Sequence, residues 1–159
     1  MAETSIVIRE AAPADAEAAA ALLRRSITEC CAEDHHNDPA VLAAWLRNKT
    51  AENTRRWFSA PGDYGVVAAI DGRLAGVGML SAAGRITLCY LLPEARFRGA
   101  GRSMLLALEA EARRRGLTRL ELTSTRTAHA FYARNGYTDT GRTEAAFGMT
   151  SPILAKAIG

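Results

Sequence analysis

One run constrains this chain more than any other: the stretch from Ile86 to Gly116, "ITLCYLLPEARFRGAGRSMLLALEAEARRRG". It opens with seven nearly all-apolar residues (86–92), which suits a strand buried on both faces. It closes with apolar residues at helical spacing, Leu105, Leu106, Leu108 and Ala112, in a predicted helix from about Gly101 to Arg115 that Gly116 stops. Between them Gly99 and Gly101 lie among Arg96, Arg98 and Arg102. Glycine is costly inside a helix but suits a turn whose backbone N–H groups must face a ligand. Successive N–H groups at a helix start, with the positive end of the dipole behind them, form an anion site.

The rest of the chain builds around this unit. "SIVIRE" (5–10) alternates as a strand does. A helix follows from Pro13 to about Cys31, with Ala19, Leu22, Leu23 and Ile27 on one face. "AEDHHND" (32–38) reads as a polar break. Asp38-Pro39 then caps and starts a second helix bearing Val41, Leu42, Trp45 and Leu46, which residues 50–58 continue after a kink. "YGVVAAI" and "RLAGVGMLS" flank Asp71-Gly72, the signature of a type I′ hairpin. Gly84-Arg85 turns the chain into strand 86–92. A strand at 117–124, a short helix at 127–136 and two strands at 137–141 and 153–158 complete it. A helix joins strands 86–92 and 117–124, so they are expected to be parallel through a right-handed crossover. Hairpins together with one crossover make a mixed α/β sheet.

Composition narrows the function classes. The 159 residues are one domain's worth, 48% hydrophobic and 23% charged, as in a soluble globular chain. No apolar run approaches a membrane span and the first ten residues show no leader, so a cytoplasmic location with no membrane association is expected. Cys30, Cys31 and Cys89 are odd in number and lack CxxC spacing, which fits buried thiols in a reducing compartment; no metal site is expected. Net charge is +3, and residues 96–119 hold seven arginines against Glu109 and Glu111. Positive charge concentrated at one turn fits a compact anion, not nucleic acid, and Arg113–Arg115 suit the negative end of a helix. Two other phosphate loops are excluded. The chain has no GxxxxGK[ST] run, and Met104 stands where a dinucleotide GxGxxG fingerprint needs its third glycine.

Arg96-x-x-Gly99-x-Gly101, preceded by an apolar strand and "PE" and followed by an amphipathic helix, resembles the (Arg/Gln)-x-x-Gly-x-(Gly/Ala) motif of the Gcn5-related N-acetyltransferases. "AHAFYARNGY" (128–137) resembles a second segment of that family, A-x-x-[FL]-Y-x-x-x-G-[FY]. The resemblance covers nearly the whole chain. It implies a single domain over 1–159: a mixed, mostly antiparallel central sheet with a splayed strand pair and flanking helices. It implies acetyl-CoA as co-substrate. Backbone at Cys89, Tyr90 and Leu91 would hold the pantetheine arm and polarise the acetyl carbonyl. Arg96, Phe97, Arg98, Gly99, Ala100, Gly101, Arg102 and Ser103 would hold the pyrophosphate, with N–H groups from Phe97 to Ser103 taking the phosphates. Ser124 or Thr125 would stand where the family often has an asparagine, with His129 and Asn135 as further contacts, and Tyr132 would lie beside the sulfur.

The chemistry needs an acid for the departing thiolate and a route for the amine's proton. Tyr132 is the acid, and Glu33 and Asp34 in the polar break are the candidate bases; His35, His36 and Glu121 are weaker ones. Trp45, Trp57 and Phe58 either wall an acceptor pocket or pack in the core. The expected reaction is direct attack by a primary amine of a small molecule or peptide in a ternary complex; a non-catalytic acyl-CoA sensor is the alternative. Cys89 in apolar surroundings suits an acyl-enzyme poorly. A homodimer exchanging the C-terminal "ILAKAI" strand is a further possibility within the family.

Overall fold

The computed structural model describes residues 5–159; the first four residues of the stretch read for a leader lie outside them. Strand β1 (Ile6–Glu10) leads through a 3₁₀ turn at Pro13–Asp15 into α1 (Ala16–Cys30). A single helical turn, α2 (Ala32–His35), precedes α3 (Pro39–Leu46) and α4 (Ala51–Ser59). Then come β2 (Tyr64–Ile70), β3 (Arg73–Leu80), β4 (Arg85–Leu91), α5 (Ala100–Arg114), β5 (Arg119–Thr123), α6 (His129–Arg134), β6 (Thr138–Ala146) and β7 (Met149–Ala157). The seven strands form one sheet in the order β1-β2-β3-β4-β5-β7-β6. Every neighbouring pair is antiparallel except β4 with β5, which are parallel, as the crossover helix requires.

The sheet is covered on both faces. Helix α5 lays Met104, Leu105, Leu108 and Ala112 against Val66, Leu80, Ile86, Leu120, Leu122 and Leu154. Leu106, expected in that stripe, is 46% exposed; Met104 takes its place because 104, 105, 108 and 112 share one face at 3.6 residues per turn. On the other face α1 brings Ala19, Leu22 and Leu23 onto Val67, Val77, Met79 and Leu88. Ile86 and Leu88 serve opposite faces although two residues apart. The register runs Leu80↔Ile86 and then Met79↔Leu88, so Thr87 is a bulge that reverses the alternation beyond it. Cys89 and Leu91 consequently turn toward α5, and Tyr90 toward α1.

Several local expectations are met and several are corrected. Asp71 and Gly72 both have positive φ, at 51° and 80°, as a type I′ turn demands. Asp38 accepts hydrogen bonds from the N–H groups of Ala40 and Val41 and so caps α3. The segment after it is no kinked continuation: Thr50 caps α4 as a separate helix, its hydroxyl accepting from Asn53. The polar break holds a helical turn whose His35 is buried, with Nε2–H donating to the Ile27 carbonyl at 2.9 Å and Nδ1 accepting from the Asn37 N–H at 3.0 Å. Trp45 lies in the core with Ile27 and Cys31, and Trp57 and Phe58 pack under α1, so the packing reading of all three holds. The last two strands are longer than expected and join at Phe147-Gly148. "ILAKAI" lies in β7 up to Ala157, and that strand is paired on both edges within the chain.

Candidate functional site

The parallel pair β4 and β5 holds together over only two residue pairs, Arg85↔Glu121 and Ile86↔Leu122. Beyond them β4 continues along β3 to Leu91, while β5 follows β7 and ends at Thr123. The strands therefore splay, and the edge of β4 from Thr87 to Leu91 faces a gap instead of a neighbour. A cleft of about 480 Å³ fills that gap. Its walls include Thr87, Cys89, Tyr90 and Leu91 on one side and Thr125, Ala128, Phe131 and Tyr132 on the other, with Arg96, Phe97, Gly99, Gly101 and Arg102 at one end.

That end is the glycine turn. Phe97 and Gly99 take the left-handed conformation, at φ 65° and 87°, and α5 begins at Ala100 with no side-chain cap. The first intrahelical bond runs from the Ser103 N–H to the Gly99 carbonyl at 3.0 Å. The N–H groups of Ala100, Gly101 and Arg102 thus precede the first completed turn and have no partner inside the helix. Ser103 was expected to offer its N–H to the phosphates, but that group is taken by Gly99. The two glycines also differ in role. A Cβ on Gly99 would meet nothing, so its glycine serves the backbone angle. A Cβ on Gly101 would come within 3.3 Å of Leu91 and Phe131, so its glycine lets α5 seat against β4 and α6. An uncapped N-terminus of a 15-residue helix, opening into a cleft beside Arg96 and Arg102, fits a diphosphate. Arg98 is exposed outside the lining, and the Arg96 guanidinium sits 4.9 Å from the centre of the Phe97 ring.

Tyr132 is supplied by α6, whose end is a Schellman motif: the Tyr137 N–H reaches the Tyr132 carbonyl at 3.1 Å, and the Gly136 N–H the Ala133 carbonyl at 3.2 Å. Gly136 has the required positive φ of 94°. Tyr132 is 6% exposed, and its hydroxyl neighbours the Cys89 thiol. Burial first, then the neighbouring Cys89 and Tyr90, push its ionisation well above the ordinary phenol value. Burial likewise pushes the Cys89 thiol up to about 11, with the Tyr132 hydroxyl opposing the shift, and Cys31 up to about 12. Both stay neutral thiols at pH 7.

The candidate bases do not join this cleft. Glu33 is exposed and does not line the cleft. Asp34 lies in a second hollow of about 390 Å³ beside His36, Asp38 and Arg126. Its carboxylate accepts from the Arg126 N–H at 2.6 Å, the Thr127 N–H at 3.3 Å and the Thr127 hydroxyl at 2.8 Å, so it ties α2 to the approach to α6. Glu121 is paired with Arg119 and Arg142 away from the cleft. Thr125 does line the cleft, its hydroxyl accepting from the Ala128 N–H at 3.1 Å. Sequence reasoning missed Thr87 and Ala128 as lining residues, the second within the "AHAFYARNGY" segment already singled out for Tyr132, whereas Asn135, a further contact expected there, does line the cleft. Among the described residues no group of three or more His, Cys, Asp or Glu side chains is gathered to hold a metal ion, and no helix is long and apolar enough to cross a membrane.

Comparison with known proteins adds the family. No curated protein sequence matches significantly. Among solved structures, a GCN5-related N-acetyltransferase from Rhodopseudomonas palustris superposes with a TM-score of 0.86 at 24% identity, over 99% of this chain and 98% of that one. The PaiA N-acetyltransferase of Thermoplasma acidophilum, in complex with coenzyme A, gives 0.81 at 22% identity over 96% and 99%. YncA from Salmonella typhimurium, with its cofactor acetyl-CoA, gives 0.72 at 20% identity over 98% and 95%. These likenesses establish the fold. A family model described as an acetyltransferase (GNAT) domain matches residues 31–151, taking in β4, the glycine turn and α6. With most of its length under that model, the chain belongs to the GNAT acetyltransferase family.

Proposed function

We propose that this protein moves an acetyl group from acetyl-CoA to a primary amine of a small molecule or peptide by direct attack in a ternary complex, with Tyr132 as general acid. The observation that carries the reading is the meeting of three features in one cleft: the unpaired edge of β4, the uncapped start of α5, and the buried Tyr132 hydroxyl. The relatives described with coenzyme A and acetyl-CoA support it.

Acetyl-CoA supplies an activated acyl group on a thiol leaving group. The N–H groups of Ala100, Gly101 and Arg102 bind the diphosphate, with Arg96 and Arg102 adding charge. Backbone at Cys89, Tyr90 and Leu91 orients the arm and donates to the acetyl oxygen as negative charge gathers there. Tyr132 carries its proton at neutral pH, as any phenol does, burial extends that state to higher pH, and it delivers the proton from Oη to the departing sulfur. Among the described residues no carboxylate lines the cleft, and the proton lost by the amine leaves by way of water. Cys89 stays protonated and forms no acyl intermediate.

Calorimetric titration with acetyl-CoA tests the reading. Gly99→Asp is compared with Gly99→Asn, since both residues tolerate a left-handed φ and only the first adds charge. Wild-type binding near micromolar, about −8 kcal/mol, that Asp abolishes and Asn largely keeps is the expected result. A panel of spermidine, tobramycin, phenethylamine and an alanyl peptide, followed by thiol release, then seeks the acceptor. Absence of wild-type binding sinks the proposal; tight binding without transfer to any amine favours the sensor.

A further inference from the structure

The Tyr132 hydroxyl faces the cleft beside the Cys89 thiol, and sulfur is a weak hydrogen-bond partner. Ring packing must therefore set its direction. The Tyr137 ring meets it edge to face at 5.9 Å between centroids, as the residue that closes the Schellman turn. Tyr137 is itself fixed at its far end: its hydroxyl donates to Glu109 Oε2 at 2.9 Å. Glu109 belongs to α5 and is 1% exposed; its Oε1 takes Lys156 Nζ from β7 at 2.9 Å, with the Arg113 guanidinium at 3.8 Å. The Lys156 ammonium also lies 5.6 Å from the centre of the Tyr137 ring. A carboxylate at this depth stabilises a core poorly compared with an apolar side chain of similar shape. What it adds is a fixed geometry: it joins α5, β7 and the end of α6 at one ring, and that ring abuts Tyr132. Neither Glu109 nor Tyr137 lines the cleft.

We propose that Glu109 and Tyr137 are positioning residues for acetyl transfer: the carboxylate anchors the Tyr137 ring, and the ring holds the Tyr132 phenol at the angle from which it gives up its proton. The proposal rests on the assignment of Tyr132 as proton donor. Tyr137 moves no proton of its own, because its hydroxyl is bonded to Glu109, and burial followed by that carboxylate drives its ionisation far up.

Two readouts test it, both on the full chain. The sequence has four tyrosines, so ¹³Cζ-tyrosine NMR resolves them, with Tyr132 assigned by loss of its signal in Tyr132→Phe. In Tyr137→Phe, which keeps the ring and removes the anchoring atom, the Tyr132 resonance is expected to shift and broaden while that of Tyr64 stays. Glu109→Gln keeps an acceptor for Tyr137 and is expected to move it less. In turnover with whichever amine of the panel above reacts fastest, Tyr137→Phe is expected to lower kcat about tenfold and leave the acetyl-CoA KM within about twofold. Placed in the Tyr132→Phe background, the same substitution should cost nothing further. An unmoved Tyr132 resonance overturns the proposal, and so does an equal loss of kcat in both backgrounds, which is what a merely structural role gives. Full turnover by Tyr132→Phe would remove the proton-donor assignment and the positioning role together. A crippled Tyr132→Phe with additive losses would remove the positioning role alone.

Discussion

Tyr132 and Lys49 show what burial does to two ionisable groups of opposite kind. Burial raises the Tyr132 phenol, so its proton stays in place throughout the ordinary pH range; kcat should show no alkaline loss from this residue below pH ~10. Tyr132→Phe should lower kcat by ~100-fold with acetyl-CoA affinity unchanged, checked by titration beside turnover. Lys49 is 4% exposed, its Nζ bonded to Asn48 Oδ1 at 2.7 Å and the Trp45 carbonyl at 3.3 Å, with the Phe147 ring 4.8 Å away. Burial lowers it from 10.5 to about 8. Between those values the unfolded chain binds more protons at this site than the folded one, so stability contributed here rises as pH goes from about 8 to 10.5 and is lowest below 8. Lys49→Met should therefore raise Tm at pH 7 by roughly 4 °C, and the gain over wild type should shrink by pH 10. A melting series across that range checks the sign. At the cysteines, the raised values predict slow iodoacetamide labelling of Cys31 and Cys89 at pH 8, read by peptide mass.

At the scale of elements, Asp34 is the residue whose expected role changes most. Its three donors make it a tie between α2 and the start of α6. Asp34→Ala should cost about 1–3 kcal/mol of stability without altering the shape of the pH–rate profile; loss of the acid limb would restore it as a base. What was readable in the sequence follows from how local each determinant is. The Asp71-Gly72 hairpin, the Asp38 cap and the Gly136 helix end announce themselves because a few adjacent residues set the backbone angles. Phe147-Gly148 turns its hairpin just as tightly, with φ of 56° and 77°, but phenylalanine carries no turn preference and the strands on either side went partly unread. The Thr87 bulge left no trace in the sequence, since it arises from pairing with β3; yet it decides that Cys89, not Tyr90, faces Tyr132. Within the site, the glycine turn and Tyr132 were legible from motifs. Glu109 was not, because a glutamate in a charged helix reads as surface until β7 and Tyr137 close over it.

Over the whole molecule, the sheet is two part-sheets, β1–β4 and β5–β7, that share two rungs at one end and part at the other. Acetyl-CoA at ~100 times its Kd should add about 2.7 kcal/mol of stability, read as a rise in Tm that Gly99→Asp loses. The open seam implies more than a place to bind. An extended ligand carrying its own amide groups, laid along the bare edge of β4, would stand in for the missing strand. The sheet would be continuous only when loaded, and the enzyme's most protected state would belong to the complex. Amide hydrogen exchange should then slow on loading at Thr87–Leu91, and also across β5 and β7, which such a ligand need not touch, because closing the seam couples the opening of one part-sheet to that of the other.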